Sequence, residues 1–115
     1  MTDMKIGIIG AGGRMGQACI RQVTETSGCS VVAASDIAGS PAIGNDAGEA
    51  AGAGTLGIDV SDDAAAVIVA SDTVIEFTLP EPTVDHVALT ADAGVAHIIG
   101  TTGMTADQEA ALKAA

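Results

Sequence analysis

The densest chemical signal in the chain is Gly10-Ala11-Gly12-Gly13-Arg14-Met15-Gly16, set between a short apolar run and a helical pattern. Glycines there let a backbone turn tightly and approach a pyrophosphate without a Cβ in the way. The N-terminus of the helix that follows offers unpaired N–H groups and the positive end of its dipole to an anion. A strict GxGxxG is absent, because Met15 takes the last position. The spacing Gly10, Gly13, Gly16 gives GxxGxxG, a variant of the same device. Asp36 follows Gly16 by about twenty residues, where a carboxylate can accept hydrogen bonds from an adenosine ribose. Taken singly, the glycines also suit a plain tight turn, and Asp36 also suits a turn-forming role. The strand before, the helix after and the acid beyond favour a dinucleotide site. A P-loop is excluded, since no Gly-Lys-Ser/Thr follows.

Two further candidates sit where later strands end: Phe77-Thr78 and Gly100-Thr101-Thr102-Gly103. In open parallel sheets, ligands bind beyond the carboxyl ends of the strands. Hydroxyls and bare backbone there can line a nicotinamide pocket, although ordinary strand-to-helix turns have the same composition. His86 and His97 have no neighbouring metal-ligand partner and are read as structural. No residue is assigned a catalytic role, and no metal site is expected. Cys19 and Cys29 lack CxxC or ligand spacing and read as free thiols.

The elements that must position these residues alternate short strands with longer helices, the signature of βαβ units and a parallel sheet. Strands are expected at Lys5 to Ile9, Ser30 to Ala34, Ile58 to Val60, Thr73 to Phe77 and Ala96 to Ile99. A helix from about Arg14 to Thr26 would turn Met15, Ala18, Cys19, Gln22, Val23 and Thr26 inward. The Gly/Ala-rich stretch from Ala38 to Gly57 is expected to be a long loop with at most a short helical turn. Ser61 is expected to cap a helix running to about Ala70, with Asp62 and Asp63 in its first turn. Thr78-Leu79-Pro80 reads as a turn and Pro82 as the first position of a helix. The inner face of that helix would be Val84, Val87, Ala88 and Ala91, and Gly94 would end it. Thr105 and Gln108 form a possible capping box for a last helix.

Composition narrows the function classes. The chain has 115 residues, room for one domain, and a hydrophobic content of 48% that permits a packed core. Phe77 is its one aromatic residue, so Ala, Val, Ile and Gly must fill that core. The formal net charge of −11, with only Lys5, Arg14, Arg21 and Lys113 as cations, argues against nucleic acid. No apolar run reaches membrane-spanning length and no signal peptide is evident, so a cytoplasmic protein is expected.

Three segments together resemble the dihydrodipicolinate reductase family. They are the Gly10–Gly16 turn, the loop from Gly44 through Asn45, Asp46 and Gly48 to Gly54, and Phe77-Thr78 with Gly100-Thr101-Thr102-Gly103. The resemblance covers nearly the whole chain. It implies a Rossmann-type doubly wound α/β domain with strand order 3-2-1-4-5, binding NADH or NADPH. It further implies that Gly10, Ala11, Gly12, Gly13, Arg14 and Met15 cradle the pyrophosphate and that Asp36 reads the ribose. Phe77, Thr78, Gly100, Thr101 and Thr102 would approach the nicotinamide. NADH preference follows from Asp36, because Ile37, Ala38 and Gly39 supply no arginine for a 2′-phosphate. The family's His-His-x-x-Lys-like stretch and Ser-Gly-Thr motif do not occur here. The chain therefore resembles the cofactor domain alone, with the C-terminal substrate domain absent and little activity expected without it. An oligomer is expected only with that domain. The rival readings are a stand-alone nucleotide-binding or sensing module and another Rossmann dehydrogenase truncated at the same place.

Overall fold

The computed structural model describes residues 4–78 and 80–100. In chain order these form β1 (Met4–Ile9), α1 (Arg14–Glu25), β2 (Cys29–Ser35), α2 (Ala47–Ala51), β3 (Val60–Ser61), α3 (Ala64–Ala70), β4 (Thr73–Glu76), α4 (Pro80–Ala93) and β5 (Ala96–Ile99). The five strands make one sheet, parallel as the alternation of strands and helices predicts and in the order β3-β2-β1-β4-β5 that the family resemblance implies. The sequence reverses direction across the sheet between β1 and β4. Both exits therefore open on the edge where parallel sheets bind ligands.

The alternation along β1 builds the two layers. Ile6 and Ile8 point into a cluster with Ile20 and Val23 of α1 and with Ala47 and Ala51 of α2. Ile9 points the other way, against Val67 and Ile68 of α3 and Val74 of β4. Gly7 shares that second face and has no side chain because α3 comes too close. A Cβ there would run into the Ser71 hydroxyl and lie 2.7 Å from Val67 Cγ1.

Several expected details differ, each for a local reason. The buried stripe of α1 is Gly16, Ile20 and Val23, with Cys19 half-buried beside it, while Met15, Gln22 and Thr26 are exposed. Gly16 belongs inside because its bare Cα allows α1 to sit on the Gly10–Ala11 backbone. Burial pushes the Cys19 thiol up, which fits an unreactive thiol. The third strand is Val60–Ser61, not Ile58 to Val60, because the loop around residue 46 pairs with the residues before it. Ala47 N–H donates to the Ile58 carbonyl at 2.7 Å, and Asp46 and Asp59 form an antiparallel bridge. The cap of α3 is Asp63, whose carboxylate accepts from Ala66 N–H at 3.1 Å. Ser61 is still in the sheet there, its carbonyl accepting from Asp36 N–H at 2.9 Å. Helix α4 begins at Pro80, so Pro82 lies inside its first turn, where a missing N–H costs nothing. Among its described side chains Thr83, Val87 and Thr90 are buried, while Ala88 and Ala91 are exposed and Val84 lies outside the description. Gly94 does end α4, in the left-handed region at φ 70°. The Thr105–Gln108 capping box lies outside the described residues.

The loop after β2 owes its shape to one carboxylate. Asp46 accepts from the N–H groups of Glu49 (3.0 Å), Leu56 (3.1 Å), Gly57 (2.7 Å) and Ile58 (3.1 Å). The Leu56 and Glu49 bonds lead in bringing its carboxyl down to about 2, against desolvation, which raises it, and with lesser help from Gly57 and Ile58. Stability from Asp46 is present above its ordinary carboxyl range and lost as pH falls toward 2. Asp46→Asn keeps the shape but halves the acceptor capacity, so it should lower the thermal midpoint at pH 7 by several degrees. The difference from wild type should shrink in thermal melts near pH 2, and an equal difference at both pH values would refute this role.

Candidate functional site

The turn between β1 and α1 is held from beneath by β2. Gly10 and Ala11 N–H groups both donate to the Ser35 carbonyl, at 2.9 and 3.0 Å. Gly10 has φ 92°, a left-handed conformation that suits glycine, and a Cβ on it would meet the Phe77 carbonyl oxygen. Gly13 is the N-cap of α1 and supplies no side chain to the first-turn amides. No acidic residue occupies that first turn. The open helix end is therefore available to an anion.

Asp36 sits across from this turn and ties it to the following loop. Its Oδ2 accepts from Gly12 N–H at 3.0 Å and from the Ser40 hydroxyl at 2.9 Å, and its Oδ1 accepts from Ile37 N–H at 2.8 Å. A side chain at Gly12 would collide with that carboxylate and lie 2.8 Å from Ala42 Cβ. Glycine is thus required at position 12 by Asp36 itself, independently of any ligand.

Gly10, Gly12, Gly13, Asp36, Phe77 and Thr78 line one cleft of about 580 Å3, together with the loop from Ile37 to Pro41. Four other expected residues do not line it. Ala11 is buried with its N–H committed to Ser35, and Arg14 and Met15 stand exposed on the first turn of α1. Gly100 lies flat against the Phe77 ring, and its N–H donates to the Glu76 carbonyl at 2.8 Å. Thr101 and Thr102 lie outside the described residues. A smaller pocket of about 110 Å3 adjoins the cleft, bordered by Ser35, Asp36, Asp62, Thr78 and His86. Ser35 Oγ is buried there and has no hydrogen-bond partner among the described residues.

One cluster escapes a reading by sequence. Glu76, at the end of β4, is fully buried, with His86 Nδ1 2.6 Å from its Oε2 and His97 Nε2 2.9 Å from its Oε1. The Thr78 and Thr83 hydroxyls donate to Oε2 as well. Burial pushes the Glu76 carboxyl up, but hydrogen bonds from His86, His97 and Thr78 outweigh it and bring it down to about 2. Both histidines therefore have a partner, which their sequence neighbours do not reveal. Among the described residues no group of three His, Cys, Asp or Glu side chains has the geometry to hold a metal ion. No helix among them is long and apolar enough to cross a membrane.

A family model described as "Dihydrodipicolinate reductase, N-terminus" matches residues 4–115. The chain belongs to this family. It is 48% identical over 114 residues to the 4-hydroxy-tetrahydrodipicolinate reductase of Rhizobium meliloti, covering 99% of this chain and 42% of that protein. It is 50% identical over 110 residues to the enzyme of the same name from Halorhodospira halophila, covering 96% and 41%. The chain thus spans well under half the length of these relatives. Among solved structures, a dipicolinate-bound dihydrodipicolinate reductase from Paenisporosarcina sp. TG-14 superposes with a TM-score of 0.72. That match is 23% identical and covers 95% of this chain and 41% of the other, so it speaks to the fold. An amine dehydrogenase from Mycobacterium smegmatis superposes with a TM-score of 0.69 at 26% identity, over 85% of this chain and 30% of that one.

Proposed function

We propose that this chain is the NAD(P)H-binding part of a 4-hydroxy-tetrahydrodipicolinate reductase, serving lysine and diaminopimelate biosynthesis in the cytoplasm. The observation that carries the reading is the uncapped N-terminus of α1 opening on the cleft beside Asp36. The pyrophosphate would lie against Gly10, Gly12 and Gly13 and the first-turn amides of Arg14 and Met15, with Ala11 holding the turn from below. Asp36 would accept from the ribose through its Oδ1, which among the described residues has a single donor, Ile37 N–H. Phe77 and Thr78, with Gly100, Thr101 and Thr102, would border the nicotinamide.

When bound, the reduced nicotinamide supplies a hydride; the chain's own groups bind and orient it. The substrate and the acid that protonates the product would be held by the remaining length seen in the relatives. By that division residues 1–115 bind and aim the cofactor, and turnover would need the substrate-holding length as well. Calorimetric titration with NADH tests the reading, and no heat of binding at any pH would refute it.

Cofactor choice follows from the same carboxylate. A 2′-phosphate brought to the Asp36 side meets a negative charge, with no cation in Ile37-Ala38-Gly39 to offset it. Arg14, exposed across the turn, offsets part of this repulsion. We expect NADPH to bind about tenfold more weakly than NADH at moderate salt. Equal dissociation constants would show that Asp36 does not set the preference.

A further inference from the structure

A fully buried carboxylate is costly unless donors surround it, and those around Glu76 come from three elements. Thr78 belongs to the exit of β4, Thr83 and His86 to α4, and His97 to β5. The same carboxylate therefore ties the exit of β4 and the first half of β5 to α4. Two of its partners border ligand space: Thr78 lines the cleft, and both Thr78 and His86 line the small pocket beside it.

The His97 ring is placed to hold one proton or two. Thr90 Oγ1 lies 3.0 Å from the Val87 carbonyl oxygen and 3.0 Å from His97 Nδ1. With only Nε2 protonated, Thr90 donates to Nδ1. With both nitrogens protonated, Nδ1–H donates to Thr90, whose own proton turns to Val87. Neither state leaves a buried polar group without a partner, so the ring gains or loses a proton without a stranded donor or acceptor.

The charges facing this cluster are mostly negative. Helix α4 contributes His86, with Asp85 and Asp92 exposed on its outer side, and β5 contributes His97. Across the small pocket stand Asp36 and Asp62, while β1 presents the apolar Ile9. No hydrogen bond or ion pair is seen from Lys5, Arg14 or Arg21 to Glu76. With both rings neutral the cluster is a net anion beside a cleft for a pyrophosphate. One added proton cancels that charge, and two reverse it.

We propose that Glu76 is a positioning residue for the dinucleotide cleft and that His86 and His97, taking up a proton at its carboxylate, couple dinucleotide affinity to pH. This rests on the cofactor reading above. Glu76 acts by fixing Thr78 at the exit of β4 and by tying β5 to α4 through His97 and His86, and the histidines set the charge the dinucleotide meets.

The test is calorimetric titration of the 115-residue chain with NADH near pH 6 and near pH 8, in buffers of different ionisation heat. Affinity should be about three- to tenfold higher at the lower pH, with proton uptake on binding. His97→Gln keeps an N–H donor but cannot titrate, and it should flatten the pH dependence while retaining binding. Glu76→Gln should weaken binding and flatten it too. If that variant fails to fold by circular dichroism, wild type with His97→Gln and His86→Gln still decides the matter. Equal affinity at both pH values without proton uptake would overturn the inference and leave the cofactor reading standing. The same slope persisting in His97→Gln and in His86→Gln would also overturn it, as a merely structural cluster predicts. Absence of binding at every pH would overturn the cofactor reading and this inference together.

Discussion

Gly13→Val should weaken NADH binding by about a hundredfold, equivalent to ~2.7 kcal/mol, and leave the fold intact. Position 13 has φ −81° and ψ 169°, extended backbone that a β-branched residue adopts readily. A Cβ there makes an ordinary contact, 3.6 Å from the Gly10 carbonyl oxygen. The residue is exposed and lines the cleft, so the valine methyls would occupy space proposed for the pyrophosphate. Circular dichroism and thermal melting should match wild type while the calorimetric signal with NADH is lost. Unchanged affinity would remove Gly13 from the site.

The neighbouring glycines give the contrast that makes this specific. At Gly16 a Cβ would overlap the Gly10 carbonyl oxygen and lie 2.9 Å from Ala11 Cα, both of them backbone atoms that cannot step aside. Substitution there would separate α1 from the turn and lose structure before ligand. Within GxxGxxG, then, Gly10 and Gly16 serve the turn and its packing, and Gly13 is the one whose bareness faces the cleft. Gly12, outside that pattern, is fixed by Asp36. The motif reads as one unit in sequence, whereas its members have separate physical duties.

The parallel sheet is legible in the sequence because each strand is a short apolar run followed by a helical period, whereas its strand order comes from the family resemblance carried by the glycine turn, the loop from Gly44 to Gly54 and the Phe77 and Gly100 segments. The cleft is legible for the same reason: Gly10, Asp36 and Thr78 all lie at or just past strand exits. What escapes is side-chain partnership across elements. Glu76 ends an otherwise ordinary strand, Thr73–Glu76, and its partners lie 10 and 21 residues further on. They meet only because β5 pairs with β4 and α4 covers that edge. The polar stripe of α4 is hidden for a related cause. Thr83 and Thr90 are buried with Val87 because a carboxylate and a histidine need hydroxyl donors there. Apolar periodicity, which favours Ala88 and Ala91, carries no information about a polar core.

Glu76→Leu should destabilise the folded chain by about 3–5 kcal/mol. The leucine would fill the space yet accept nothing from His86 Nδ1, His97 Nε2 or the Thr78 and Thr83 hydroxyls, all of which now turn to the carboxylate. A loss of that size is a large part of the total stability of a domain this small. In urea the unfolding midpoint should fall sharply at pH 7. The pH dependence gives the second reading. In wild type the Glu76 carboxyl lies at about 2 when folded against 4.5 ordinarily, so its contribution, about 3 kcal/mol, is fully present above pH ~4.5. It is lost as pH falls through 2, because the unfolded chain takes up the proton first. The leucine variant has no such proton to bind, so its stability should fall less steeply than that of wild type between pH ~4.5 and ~2. Parallel slopes for the two proteins would mean that the buried carboxylate is not what the acid titrates. An unchanged urea midpoint at pH 7 would mean that the donors around it find other acceptors. Either result would place the anchoring of the β4 exit elsewhere, in the backbone bonds from Phe77 to Ile9 and from Gly100 to Glu76.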